Sequence, residues 1–149
     1  MSLFEKQHTL GYWGPVTSSV DWCEENYKYS FYIAEFWNTL SSFAMIVLGL
    51  LGILVHHRTL GWRLACGYFM IMVVGVGSVL FHGTLQYKHQ MWDEIPMVWT
   101  ASYMLWVLLQ DNGYEPLRYG IGISLYCALA TFVTSQYQGS TQFYLFQAS

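Results

Sequence analysis

Residues 62–81 read WRLACGYFMIMVVGVGSVLF, and Arg63 is their only charge. A helix on a water-soluble protein keeps one polar face, and this stretch has none. Twenty residues at 1.5 Å each cover about 30 Å, the thickness of a bilayer's hydrocarbon core. Without water to bond the backbone, a helix is the only open-chain structure that satisfies itself there. The stretch reads as a membrane-spanning helix.

Working outward, the other charges mark where similar stretches begin and end. Only 6 basic and 9 acidic residues occur in 149. No charge falls between Phe36 and His57, between Leu64 and Tyr87, between Ile95 and Gln110, or after Arg118. The expected spans are Glu35–Val55, Trp62–Phe81, Glu94–Leu109 and Tyr119–Ser135. Trp13, Trp22, Tyr27, Tyr29, Tyr32, Trp62, Tyr87 and Trp92 gather near their ends, as interfacial aromatic belts do. The chain is therefore expected to be an all-α membrane protein with about four transmembrane helices, forming a single unit over residues 1–149.

Composition agrees, with 54% hydrophobic residues, 10% charged residues and a mean hydropathy of +0.31. The net charge of −3 includes no basic patch. A disordered chain, a nucleic-acid binder and a disulfide-stapled secreted domain are all excluded. Cys23, Cys66 and Cys127 form no CxxC and read as small hydrophobic residues. The opening MSLFEKQHTLGYWGPVTSS has no continuous apolar core, so the first span itself is expected to direct insertion. Lys6, Lys28 and Lys88 fall on one membrane side and Arg58, Arg63 and Arg118 on the other, which leaves orientation open. Phe143–Phe146 read as the opening turn of a fifth span, which predicts a truncated product; a short re-entrant or interfacial end is the alternative.

Ionisable groups at the edges of such spans are the first candidates for function. An up-and-down path brings the start of span one, the end of span two and the start of span three to one membrane face. That face collects Asp21, Glu24, Glu25, Glu35, Ser78, His82, Asp93 and Glu94. In DWCEEN (residues 21–26), with Glu35 in FYIAEFWN, the side chains of Asp21, Glu24, Asn26 and Glu35 offer oxygens of the kind a hard cation takes. The alternative is an acidic cap on the first helix, favoured by its dipole. In GVGSVLFHGTL, Ser78 and His82 are four residues apart and share a helix face. His82 is a candidate metal ligand and Ser78 a candidate oxyanion donor; an interfacial hydrogen-bonded pair is the plainer reading. Asp93 in QMWDEIPM is either a helix cap or a base for a metal-bound water, and Pro96 is expected in the first helical turn. His89 lies on the same face as a candidate ligand, though a solvated loop position is the plainer reading, while His8 lies in a polar tail and His56 and His57 lie at the opposite face.

Taken together, GYWGPVTSSVDWCEENY, FYIAEFWNTLSS, GVGSVLFHGTL and MWDEIPM resemble the alkaline ceramidases in order and spacing, from about Gly11 to about Gln110. The resemblance implies part of a seven-helix membrane amidohydrolase that cleaves a ceramide lipid, taken from the bilayer, into a sphingoid base and a fatty acid. It implies a calcium (Ca2+) site of Asp21, Glu24, Asn26 and Glu35 with the backbone carbonyl of Trp22. It implies His82 as one of three zinc (Zn2+) histidines, Ser78 beside the zinc, and Asp93 as the catalytic aspartate. It also implies residence in the endoplasmic reticulum or Golgi. The family's H-x-x-x-H pair, which supplies the other two zinc ligands, does not occur in these 149 residues, so this chain alone is expected to be inactive. Two competing readings are a non-catalytic, receptor-like or regulatory membrane protein that keeps the calcium site, and an ion-handling protein, which would need acids in mid-span. No nucleic-acid partner is expected, and oligomeric state stays open.

Overall fold

The computed structural model describes residues 11–56, 58–59, 61–113 and 115–148. His8, His57 and most of the N-terminal stretch read for a signal lie outside the described residues. Five helices follow in order: α1 Phe36–His56, α2 Gly61–Thr84, α3 Tyr87–Asp111, α4 Pro116–Gln136 and α5 Ser140–Ala148. Each packs on the next, and no strand forms among the described residues. The fold is all-α, and the protein is a membrane protein: α1, α2 and α4 are long and apolar enough to cross a bilayer. Their outer faces carry Leu48, Leu54, Phe69, Leu125, Leu129 and Phe132, all exposed, as lipid-facing residues are.

The helices meet through small residues, which let backbones approach where lipid leaves no hydrophobic drive for association. Thr39, Ser42, Gly49 and Gly52 form the buried stripe of α1. A methyl group on Gly49 would come 2.7 Å from the Tyr68 carbonyl oxygen of α2. At the far end of the bundle, Arg63 bonds to Gln110 and lies 3.6 Å from Asp111, while Tyr103 donates to the Arg63 carbonyl at 2.8 Å.

Four expectations are corrected in α3. The helix starts at Tyr87, about two turns before the expected Glu94, with Gln86 as its N-cap residue. Asp93 is therefore no cap, and Pro96 lies inside the helix rather than in its first turn. His89 is helical and half-buried, with Nδ1 at 2.7 Å from the Thr84 hydroxyl, rather than in a solvated loop. The physical reason is cover. Polar residues of these turns are sheltered by protein: Gln90, fully buried, accepts from the Ser19 N–H at 2.6 Å and donates to Gln142 of α5 at 3.0 Å. Phe143–Phe146 fall within α5, a nine-residue helix.

An N-terminal strap, residues 13–19, laces the corner between α2 and α3. Leu85 sits there at φ +50°, fully buried against Ala34 and Phe81. Its carbonyl accepts from the N–H groups of Thr17 and Ser18, both at 3.1 Å. Gln86 donates to the Pro15 carbonyl at 3.0 Å, and Thr17 accepts from the Tyr87 N–H at 2.9 Å.

Candidate active site

Glu35 immediately precedes α1 and is completely buried. Its backbone is clasped to the end of α2: the Ala34 N–H donates to the Gly83 carbonyl at 3.0 Å and the Glu35 N–H to the His82 carbonyl at 2.9 Å. A buried carboxylate needs donors to offset lost hydration, and Glu35 has three. Trp22 N–H reaches Oε1 at 3.1 Å, while the Asn38 amide and His82 Nδ1 reach Oε2 at 3.0 and 2.5 Å. With Nδ1 held by a carboxylate, the ring orientation of His82 is fixed and Nε2 is left for another partner. Metal-binding histidines are commonly oriented this way.

Ser78 stands one turn before His82, buried between α1 and α3. Its hydroxyl lies 3.0 Å from that of Ser42. The backbones of α2 and α3 nearly touch here. A Cβ at Gly77 would lie 2.0 Å from the Trp92 carbonyl oxygen and 3.0 Å from the Asp93 Cα. Pro96 explains why that carbonyl is exposed to α2: having no N–H, it cannot close the helical bond to the residue four before it. Gly77 and Pro96 thus set Asp93 against Ser78. Asp93 is buried, and its Oδ1 has no hydrogen-bond partner among the described residues.

In the acidic segment, the Asn26 amide donates to Asp21 at 3.2 Å. Glu24 caps α1: its two oxygens accept the N–H groups of Trp37 at 2.8 Å and Asn38 at 3.0 Å. The capping alternative raised by the sequence is thus realised by Glu24. Trp22 lies beside Glu35 through its N–H. Tyr27, in the loop between, has a buried hydroxyl, and burial raises its pKa. No group of three or more His, Cys, Asp or Glu among the described residues is arranged to hold a metal ion.

The donor chemistry nevertheless fits the implied ions. Asp21, Glu24, Asn26 and Glu35 supply hard oxygens, and a carboxylate oxygen accepting one hydrogen bond keeps a second lone pair. His82 fits as one zinc ligand. Asn38, Ser42, Gln90 and Gln142 went unnoticed in the sequence. Asn38 and Ser42 are an i, i+4 pair facing α2, and Gln90 has the same spacing to Glu94, which accepts from it at 2.7 Å. Those spacings were the available signal.

An all-α bundle of apolar helices, with a carboxylate–histidine–serine cluster at one end, defines a helical membrane protein with a polar centre. Comparison narrows the class. The chain matches the Ceramidase family model over residues 14–149 and belongs to that family. It is 43% identical over 101 residues to alkaline ceramidase 3 of Mus musculus, covering 67% of this chain and 38% of the relative. It is 42% identical over 102 residues to an alkaline ceramidase of Arabidopsis thaliana, covering 68% and 40%. With an alkaline ceramidase of Saccharomyces cerevisiae it shares 42% identity over 100 residues, covering 66% and 32%. The matched region spans only 32–40% of the length of these relatives.

Proposed function

We propose that these residues form part of the reaction centre of a ceramide amidohydrolase, which splits the ceramide amide into a sphingoid base and a fatty acid within sphingolipid metabolism. The observation that carries this reading is the buried cluster of Ser78, His82 and Asp93, with Asp93 Oδ1 unpaired among the described residues, in a chain whose relatives are alkaline ceramidases. His82 would hold zinc through Nε2, with the further histidines supplied from outside these 149 residues. Asp21, the Trp22 carbonyl, Glu24, Asn26 and Glu35 would hold calcium. Bound zinc polarises a carbonyl and acidifies water. Asp93 takes the proton of the attacking water at its carboxylate. Ser78 donates its hydroxyl to the oxygen that gains charge as the amide carbon becomes tetrahedral. Glu35 keeps the His82 ring in place throughout.

The substrate is taken from the bilayer. A groove of about 980 Å3 between α3 and α4, lined by Trp99, Tyr103, Leu117 and Cys127 among others, is almost wholly apolar. It begins at Trp99, about 9 Å along α3 from Asp93 at 1.5 Å per residue. That distance supports a lipid chain in the groove with its amide at the polar cluster. Residence in the endoplasmic reticulum or Golgi completes the proposal.

The test uses the full-length protein in lipid nanodiscs with a ceramide substrate. The parent is expected to release fatty acid, and Asp93→Asn to lower kcat by at least about a hundredfold. His82→Ala is expected to lose most of the bound zinc, measured by elemental analysis. An intact ceramide after incubation with the parent would favour the non-catalytic reading, and stoichiometric zinc in His82→Ala would remove that residue from the ligand set.

A further inference from the structure

Ser42 lies on α1, carries no charge and has no place in the chemistry described so far. It is buried, and its hydroxyl has two neighbours: the Asn38 carbonyl oxygen at 2.7 Å and the Ser78 hydroxyl at 3.0 Å. Ser78 in turn stands where α2 presses on Asp93 of α3: a Cβ at the neighbouring Gly77 would lie 3.0 Å from the Asp93 Cα. The Asn38 carbonyl, Ser42 and Ser78 therefore form one row that ends beside Asp93 on a third helix.

Each hydroxyl in that row has one proton to give and can accept as well. A carbonyl only accepts. These facts allow two orders. In the first, Ser42 donates to Asn38 and Ser78 donates to Ser42, so no Ser78 proton is left for Asp93. In the second, Ser42 donates to Ser78, which leaves the Ser78 proton for an ionised Asp93 or for another acceptor beside it. Turning Ser42 away does not orphan the Asn38 carbonyl, because the Ser41 hydroxyl also donates to it at 2.9 Å. In both orders the Asn38 carbonyl keeps a donor.

We propose, on the basis of the ceramidase reading above, that Ser42 is a positioning residue: by donating to Ser78 it turns the Ser78 proton toward Asp93 and the reacting oxygen. A hydroxyl that accepts a hydrogen bond becomes a better donor in its own right. Ser42 therefore acts where charge develops and does not touch the substrate. With Ser42 absent, Ser78 keeps its place on α2 but loses the donor that directs its proton.

The experiment measures ceramide hydrolysis by the full-length protein carrying Ser42→Ala, Ser42→Gly or Ser42→Thr, with thermal unfolding of each variant in the same detergent. The expected result is a fall in kcat of about five- to twentyfold for Ala and Gly, the size of one directed hydrogen bond. KM is expected to stay within about twofold, and Thr, which restores the hydroxyl, to recover most of the rate. A second readout does not depend on turnover. The infrared carboxyl band that disappears in Asp93→Asn is expected to shift in Ser42→Ala and to return in Ser42→Thr.

An active parent whose Ala and Gly variants match it in kcat overturns the role of Ser42 while leaving the ceramidase reading intact. A loss in KM and kcat together that tracks lower thermal stability, with an unmoved Asp93 band, shows a packing role and also overturns it. A parent that leaves ceramide intact overturns the ceramidase reading and the role of Ser42 with it.

Discussion

At the scale of single residues, Glu35 shows what a buried charge demands. Its carboxylate is held by a backbone N–H, an amide and an imidazole, and removing it leaves all three without an acceptor. Each buried donor left without an acceptor costs about 1–3 kcal/mol. Glu35→Ala is expected to lose about 3 kcal/mol of stability in a detergent unfolding experiment, and Glu35→Gln less, because an amide still accepts. A ligand that binds only the folded state stabilises it, so added calcium is expected to raise the Tm of the parent and not that of Glu35→Ala. Equal calcium stabilisation in both would exclude Glu35 as a ligand. Residues such as Glu35, Asp93 and His82 could be picked out of the sequence because charge is scarce in an apolar chain. Ser42 and Asn38 offered only their i, i+4 spacing, since an uncharged polar residue takes its meaning from what stands opposite it on another helix.

At the scale of helices, the crossing of α2 and α3 depends on Gly77 and Pro96 together. Proline leaves the Trp92 carbonyl without its helical partner, and glycine is the residue that can lie against that oxygen. An added methyl at Gly77 would meet backbone atoms of Trp92 and Asp93, which cannot swing aside as a side chain would. Gly77→Ala is expected to cost about 1–3 kcal/mol by overpacking. It is also expected to reduce ceramide hydrolysis by the full-length protein more than unfolding explains, because the displaced group is Asp93. Wild-type activity and Tm in that variant would show the two helices to be freer than the structure indicates. Span two was plain from its unbroken apolar run. The start of α3 was not, because KHQMWDE looks like a polar loop until the strap and α5 are seen covering it.

At the scale of the whole molecule, a short terminal helix and an N-terminal strap hold the first turns of α3 from two sides. Gln142 of α5 is fully buried and donates to Glu94, and Gln90 donates to both Glu94 and Gln142. The Gly139 N–H donates to the Ser19 hydroxyl at 2.9 Å, joining α5 to the strap. Leucine at 142 keeps the bulk and removes these bonds, leaving buried polar groups unpaired at about 1–3 kcal/mol. Hydrogen exchange is expected to rise in α5 and in residues 87–94 of Gln142→Leu before it rises in α1 or α2. Uniform protection in that variant would show α5 to be held by its apolar contacts alone.

The clasp between Glu35 and His82 has a further consequence for how each copy of the protein is made. The two residues are 47 positions apart, and a ribosome delivers them in that order. Glu35 reaches the lip of the bilayer, and α1 enters behind it, while the histidine that will complete its pairing has yet to be translated. Until α2 has been threaded, that acid has only the Trp22 N–H and the Asn38 amide among its final partners. The pairing of Glu35 is therefore completed by the second helix to be synthesised, not by the first.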